Sequence, residues 1–145
     1  MTASTTITDK RIMRQNITIL VVDDQPDLRE LLVKILSKEG YAVDTAVNGV
    51  DAQEKLRQKP YHLVLADVKM PGFNGLDLVK VIKREFPGTG AIVMTDYGDS
   101  YTVKEALLIG ADEYITKPFK SFEINLVIER AYWRLVSAGE ESPNR

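Results

Sequence analysis

The chain has 145 residues, the length of one domain, and its 44% hydrophobic content is enough to bury a core. Lys and Arg number 19 against 21 Asp and Glu, a formal charge of −2, so no basic field points to direct nucleic acid binding. Cysteine is absent, which excludes a disulfide framework and a thiolate metal site and fits a reducing compartment.

The first residues, "MTASTTITDKRIMRQN", have no apolar core of signal-peptide length, and no window approaches a membrane span. A cytoplasmic location with no membrane contact is therefore expected. Residues 1–15 and 137–145 are polar and aperiodic and read as flexible tails around a domain at 16–136.

"ITILVVDD" (Ile17–Asp24) is a short β-branched run, suited to a buried parallel strand. A helix follows, with Pro26 in its first turn and Gly40 at its exit. Its inward face is expected to carry Leu28, Leu31, Leu32, Ile35 and Leu36. "YAVDTAV" reads as a second strand, and a second helix opens at Asn48 and closes at Pro60. "YHLVLAD" is a third strand, followed by a helix with Leu78, Val79, Ile82 and Phe86 inward. "AIVMTD" is a fourth strand, and its helix is expected to be capped by Ser100 and ended by Gly110. "DEYIT" is the fifth strand, and the last helix, Ser121–Val136, turns Ile124, Val127, Ile128, Ala131 and Leu135 inward.

Five strand–helix units in strict alternation predict a three-layer, doubly wound α/β domain, because parallel strands need crossover helices on both sheet faces. Ligands of such sheets gather beyond the carboxyl ends of the strands. There the sequence places Asp23 and Asp24, Asp67, Thr95 and Lys117. Asp67 leads into the turn residues Met70-Pro71-Gly72 and Asn74-Gly75, which suggests an acid left alone and reachable at a rim. Carboxylates ~4 Å apart repel by about 4 kcal/mol at an effective dielectric near 20. Lys117 offsets one charge, and Mg²⁺ suits an all-oxygen set. Removing Asp24 is thus expected to relieve repulsion while weakening metal binding. With a cation over Asp67 and Thr95 and Lys117 as donors, the rim makes a pocket for a phosphoryl group, with an aspartate as covalent acceptor.

The motifs "VVDD", "LVLADVKMPGFNG", "IVMTDYGD" and "ADEYITKPF", in this order and at strand ends, are weak singly and specific together. Through them the chain resembles the receiver domain of bacterial two-component response regulators over about Ile17–Leu135. The resemblance implies a flavodoxin-like (βα)5 fold with a five-stranded parallel sheet in the order 2-1-3-4-5. It implies Asp67 as phosphoacceptor, and Asp24, Asp67 and the Lys69 backbone carbonyl as direct Mg²⁺ ligands, with Asp23 acting mainly through water. It further implies Thr95 on a phosphoryl oxygen, Lys117 on the phosphate, a cis Lys117–Pro118 bond and Tyr114 as the aromatic switch. The donor is expected to be a sensor histidine kinase or a histidine phosphotransfer protein. The output is expected from the face of helix four, strand five and helix five, toward a downstream protein or a second copy. On that face Leu126, Arg130 and Trp133 form a stripe that Tyr101 and Leu108 extend; a core role for Trp133 is equally open.

Lys69, Asp96 and Tyr97 are expected to tune rates. Asp96 stands where the family usually has a small residue, adding a negative charge beside the pocket. Tyr97 is expected to cover the site and slow the entry of water. The chain reads as a signalling module and not an enzyme beyond its own phosphoryl transfer and slow autodephosphorylation. A receiver that binds partners without phosphorylation finds support only in Asp96. A Mg²⁺-dependent phosphatase would place an acid where Lys69 stands. His62, the only histidine, reads as a strand-entry residue, which leaves a Ser-His-Asp hydrolase without a base. No G-x-G-x-x-G follows the first strand, so a dinucleotide site is not expected. No output domain follows the last helix; both a partner-binding protein and a receiver from a longer regulator remain open.

Overall fold

The computed structural model describes residue 14 and residues 16–141; the remaining tail residues, 1–13, 15 and 142–145, lie outside the described residues. The strands are β1 (Thr18–Val22), β2 (Ala42–Ala46), β3 (Leu63–Asp67), β4 (Gly90–Asp96) and β5 (Glu113–Lys117). The helices are α1 (Pro26–Lys38), α2 (Gly49–Gln58), α3 (Gly75–Glu85), α4 (Ser100–Leu108) and α5 (Ser121–Glu141). All strand pairs are parallel, in the order β2-β1-β3-β4-β5.

Alternation along the central strands divides the core in two. Leu20, Val22, Val64, Ala66, Ala91 and Val93 pack with Ala52, Leu56, Leu78, Ile82 and Ala106 of α2, α3 and α4. Ile19, Val21, Leu63, Leu65, Ile92 and Met94 pack with Leu32 and Leu36 of α1 and Ile124 and Ile128 of α5. Each large side chain so buried contributes roughly 1.5–3 kcal/mol, and a one-residue slip of a strand would exchange its two faces. This double burial is why β3 is buried along its whole length and reads as a continuous apolar run.

Polar side chains fix where the helices begin. The Asn48 side chain accepts from the Asp51 N–H at 2.8 Å. Asn74 and Asp77 form a reciprocal capping box, with bonds of 3.0 and 3.1 Å. Asp99, not Ser100, caps α4: its carboxylate accepts from both the N–H and the hydroxyl of Thr102. A charged acceptor suits the positive end of a helix better than a neutral hydroxyl does.

Three further expectations are corrected. Leu31 is 47% exposed, because the buried stripe of α1 narrows to Leu32 and Leu36 with Leu28 and Ile35 at its flanks. Helix α5 continues to Glu141, so its last turns occupy residues read from the sequence as loose tail. Arg14, read as part of the N-terminal tail, is fastened: it donates to the Glu39 carboxylate at 2.8 Å, pairs with Glu129 and lies over the Tyr41 ring. His62 serves the fold, its Nδ1 accepting from the Thr18 N–H at 3.0 Å.

Candidate functional site

Asp67 is the last residue of β3, beside Met94 of β4. It is neither alone nor freely reachable, as the sequence suggested, but 2% exposed. Its Oδ2 accepts from the Lys117 ammonium at 2.7 Å, and its Oδ1 accepts from the Lys69 N–H at 3.0 Å. The reason is electrostatic: a buried carboxylate needs a paired cation and hydrogen bonds. Helix α3 begins against the backbone of Asp67. A Cβ on Gly75 would lie 2.5 Å from the Asp67 carbonyl oxygen, so only glycine permits this approach.

Asp23 and Asp24 follow β1 but are placed differently. Asp23 is fully buried and Asp24 is exposed. One Asp23 oxygen accepts from the Gln25 N–H at 2.8 Å; the other has no partner. Burial raises the Asp23 carboxyl to about 6; the Gln25 bond opposes this, and the contact and charge of Asp67 add to it. The contact and charge of Asp67 thus bear on the buried Asp23, beside an exposed Asp24.

Thr95, near the end of β4, is buried, and its Oγ1 has no hydrogen-bond partner. It sits in register with Thr116, as Asp96 does with Lys117. The Lys117–Pro118 peptide is cis, as the resemblance implied. Two buried polar atoms, on Asp23 and Thr95, thus lack partners at the strand ends that hold the Asp67–Lys117 pair. An orphaned buried polar atom costs about 1–3 kcal/mol, and such atoms call for a ligand.

Among the described residues, no three His, Cys, Asp or Glu side chains form a ready metal cage. Mg²⁺ does not need one: it keeps several waters and is commonly held by one or two carboxylates plus phosphate. The neighbouring Asp23 and Asp67 carboxylates, one with an orphaned oxygen, fit that requirement.

Two rate-tuning expectations change. Tyr97 is 83% exposed, so its ring does not seal the pocket. Asp96 does not add an unbalanced charge, because its carboxylate pairs with the Lys69 ammonium. That bond holds Lys69 above its usual range and Asp96 below its own. The sequence treated these residues singly; their opposite charges at the ends of neighbouring strands were the signal of a pair. Arg29 was missed altogether. Its guanidinium donates to the Asp23 carbonyl at 2.7 Å, and a bond to a backbone oxygen leaves no trace in residue types.

On the far side of β5, Tyr114 is partly exposed, and Tyr101, Leu108, Phe122 and Leu126 are exposed. Trp133 is 56% exposed, which decides against its core reading. Arg130 is not free for a partner in this state: with Arg134 it holds the buried Glu113, at 3.0 and 2.9 Å.

The response regulator receiver domain family matches residues 19–129. The chain is a response regulator receiver domain. Sporulation initiation phosphotransferase F of Bacillus subtilis is 36% identical over 115 residues, covering 79% of this chain and 93% of that protein. Response regulator protein PilR of Pseudomonas aeruginosa is 36% identical over 124 residues, 86% of this chain but 28% of PilR. The crystal structure of the receiver domain of NtrX from Brucella abortus aligns with a TM-score of 0.76 at 36% identity, covering 79% of this chain and 98% of that one. Several longer regulators extend well beyond the match: this chain spans 24% of an NtrX-like regulator of Rickettsia bellii and 46% of ResD of Bacillus subtilis. The receiver belongs to two-component signalling, in which response regulators accept phosphoryl groups from histidine kinases and in general bind Mg²⁺ at the phosphorylation site. Among its described residues no helix is long and apolar enough to cross a membrane.

Proposed function

We propose that the receiver accepts a phosphoryl group on Asp67 from a sensor histidine kinase or a histidine phosphotransfer protein. In this reading Asp23, Asp24, Asp67 and the Lys69 carbonyl hold Mg²⁺, which supplies charge neutralisation for the incoming phosphoryl oxygens. A carboxylate oxygen of Asp67 forms the new P–O bond while the donor's bond to phosphorus breaks and the leaving group takes its electron pair. Lys117 exchanges its bond to Asp67 for one to the phosphoryl group. The Thr95 hydroxyl donates a hydrogen bond to a phosphoryl oxygen.

The observation that carries this reading is the buried Thr95 hydroxyl without a partner, on the strand next to a buried, lysine-paired Asp67. A buried hydroxyl that no protein group pairs is poorly explained as a structural group and well explained as a donor awaiting an anion. The chemistry is the module's own modification and its slow reversal, not turnover of a free substrate. Its output follows from Thr95 and Tyr114 to the exposed face of α4, β5 and α5, toward a downstream protein or a second copy. We place the module in the cytoplasm with its kinase's catalytic domain.

The test is mass spectrometry after incubation with acetyl phosphate and Mg²⁺. One added phosphoryl group, absent in Asp67→Asn, is the expected result. An unmodified protein, or an adduct that persists in Asp67→Asn, would overturn the assignment.

A further inference from the structure

The loops on either side of Asp67 are joined by side chains. Lys69 lies two residues past Asp67 and is bound to it through its own N–H. Asp96 directly follows Thr95 at the end of the neighbouring strand β4. Their side chains meet in an ion pair, so the pair bridges the β3–α3 loop and the end of β4 beside the acceptor. The nearby Asp99 carboxylate is committed to Thr102 and serves Lys69 only through its field. Both partners of the bridge face solvent for much of their surface. Exposed pairs are weak and salt-sensitive, so this one acts as a catch and not as a support of the core.

We propose that the Lys69–Asp96 ion pair is a latch that holds the Lys69 ammonium off the phosphoacceptor, and that a phosphoryl group opens it by taking the ammonium from Asp96. The proposal rests on Asp67 being the acceptor and adds a control on which donors reach it. While the latch is closed, Lys69 is neutralised by Asp96 and Lys117 is neutralised by Asp67. An arriving phosphoryl dianion then meets no uncommitted ammonium from either lysine. Opening the latch gives it one, but leaves Asp96 bare beside it. Asp96 is therefore a positioning residue that sets a threshold through Lys69. A protein donor that sets a Lys or Arg against Asp96 removes the threshold; a small anionic donor cannot.

The experiment uses acetyl phosphate as the small donor, with Mg²⁺ and the full chain. The Asp67 oxygen bonds to phosphorus as the P–O bond to the acetyl group breaks, the electron pair leaving with acetate. Initial rates are measured for the wild type, Asp96→Asn, Lys69→Gln and the double variant. Asp96→Asn is expected to be faster by roughly two- to fivefold, in keeping with the strength of an exposed pair. High salt is expected to narrow that gap. Lys69→Gln is expected to slow the reaction more in the Asp96→Asn background, where the ammonium is released, than in the wild type, where it is held. An Asp96→Asn rate no higher than the wild type overturns the latch. So does an equal factor for Lys69→Gln in both backgrounds. If the adduct forms on Asp67 and the effects simply multiply, only the latch fails; if no adduct forms on Asp67 at all, the acceptor assignment fails with it.

Discussion

Asp23→Asn should stabilise the metal-free receiver at neutral pH. The Asp23 carboxyl is held at about 6 in the fold against 3.8 for the free side chain, chiefly by burial. A group raised in this way contributes stability that is complete below pH ~4 and is lost as the pH climbs through ~6. At pH 7.5 the ionised Asp23 therefore costs the fold up to about 3 kcal/mol relative to its protonated form, from a shift of about two units at 1.36 kcal/mol each. Asparagine keeps the acceptor for the Gln25 N–H and turns the orphaned oxygen into an amide that can donate to Asp67. The assay is thermal and urea unfolding between pH 4.5 and 8, with and without Mg²⁺. Expected are a gain of about 2–3 kcal/mol for the variant at pH 7.5 without metal, a rise in Tm on the order of 5–10 °C, and little difference near pH 4.5. Mg²⁺ should stabilise the wild type more than the variant, which has lost a carboxylate. A variant less stable than the wild type at pH 7.5, or a difference unchanged across the pH range, would refute burial and repulsion at Asp23 as the source of the cost.

Three more outcomes are expected. Thr95→Val should leave stability unchanged or raise it by about 1 kcal/mol, since a buried unpaired hydroxyl is removed, while phosphorylation by acetyl phosphate slows; unfolding and phosphorylation rates measured on one preparation separate the two effects. Gly75→Ala should cost about 1–3 kcal/mol and slow phosphorylation, because the new methyl must displace the Asp67 backbone 2.5 Å away; urea unfolding with the acetyl phosphate assay checks both. Trp133→Ala should change stability by less than about 1 kcal/mol, given its exposure, yet weaken self-association or partner binding of the phosphorylated form; sedimentation and pull-down with the phosphorylated protein would show no change if that face is not the output surface.

Most of the fold was legible because its two signals are local. Unbroken runs such as Leu63–Ala66 announce strands covered on both faces, and the Asn74–Asp77 spacing announces a helix start. The site was legible as a set of strand-end residues, since parallel topology brings the ends of β1, β3, β4 and β5 together whatever lies between them. What sequence could not supply was which way each side chain turns. Asp23 and Asp24 are adjacent and chemically identical, yet one is sealed and the other exposed, because Asp23 turns back to the Gln25 N–H while Arg29 secures its carbonyl. Tyr97 was expected over the pocket from its place two residues after Thr95 and its bulk, but it lies beyond the end of β4 with its ring exposed. Lys69 and Asp96 neutralise each other across 27 residues of chain, a coupling that no local pattern encodes.

The unmet contacts at the rim bear on how the domain can switch. Driving a two-state equilibrium from 1:99 to 99:1 takes about 5.5 kcal/mol of differential binding. A phosphoryl group that accepts from Thr95 relieves an orphan worth about 1–3 kcal/mol. A cation that reaches the free Asp23 oxygen relieves a further cost of up to about 3 kcal/mol. The Asp23 relief comes with the cation alone and readies the rim, so the part tied to the anion on Asp67 is the Thr95 contact, about 1–3 kcal/mol of the required amount. Thr95 stands on β4 in register with Thr116, two residues past Tyr114 on β5, so a pull on its hydroxyl acts on the strand next to the exposed face. The energy for a change on that face can thus come from contacts the unmodified site leaves unmade, which ties the instability of the resting rim to the strength of its response.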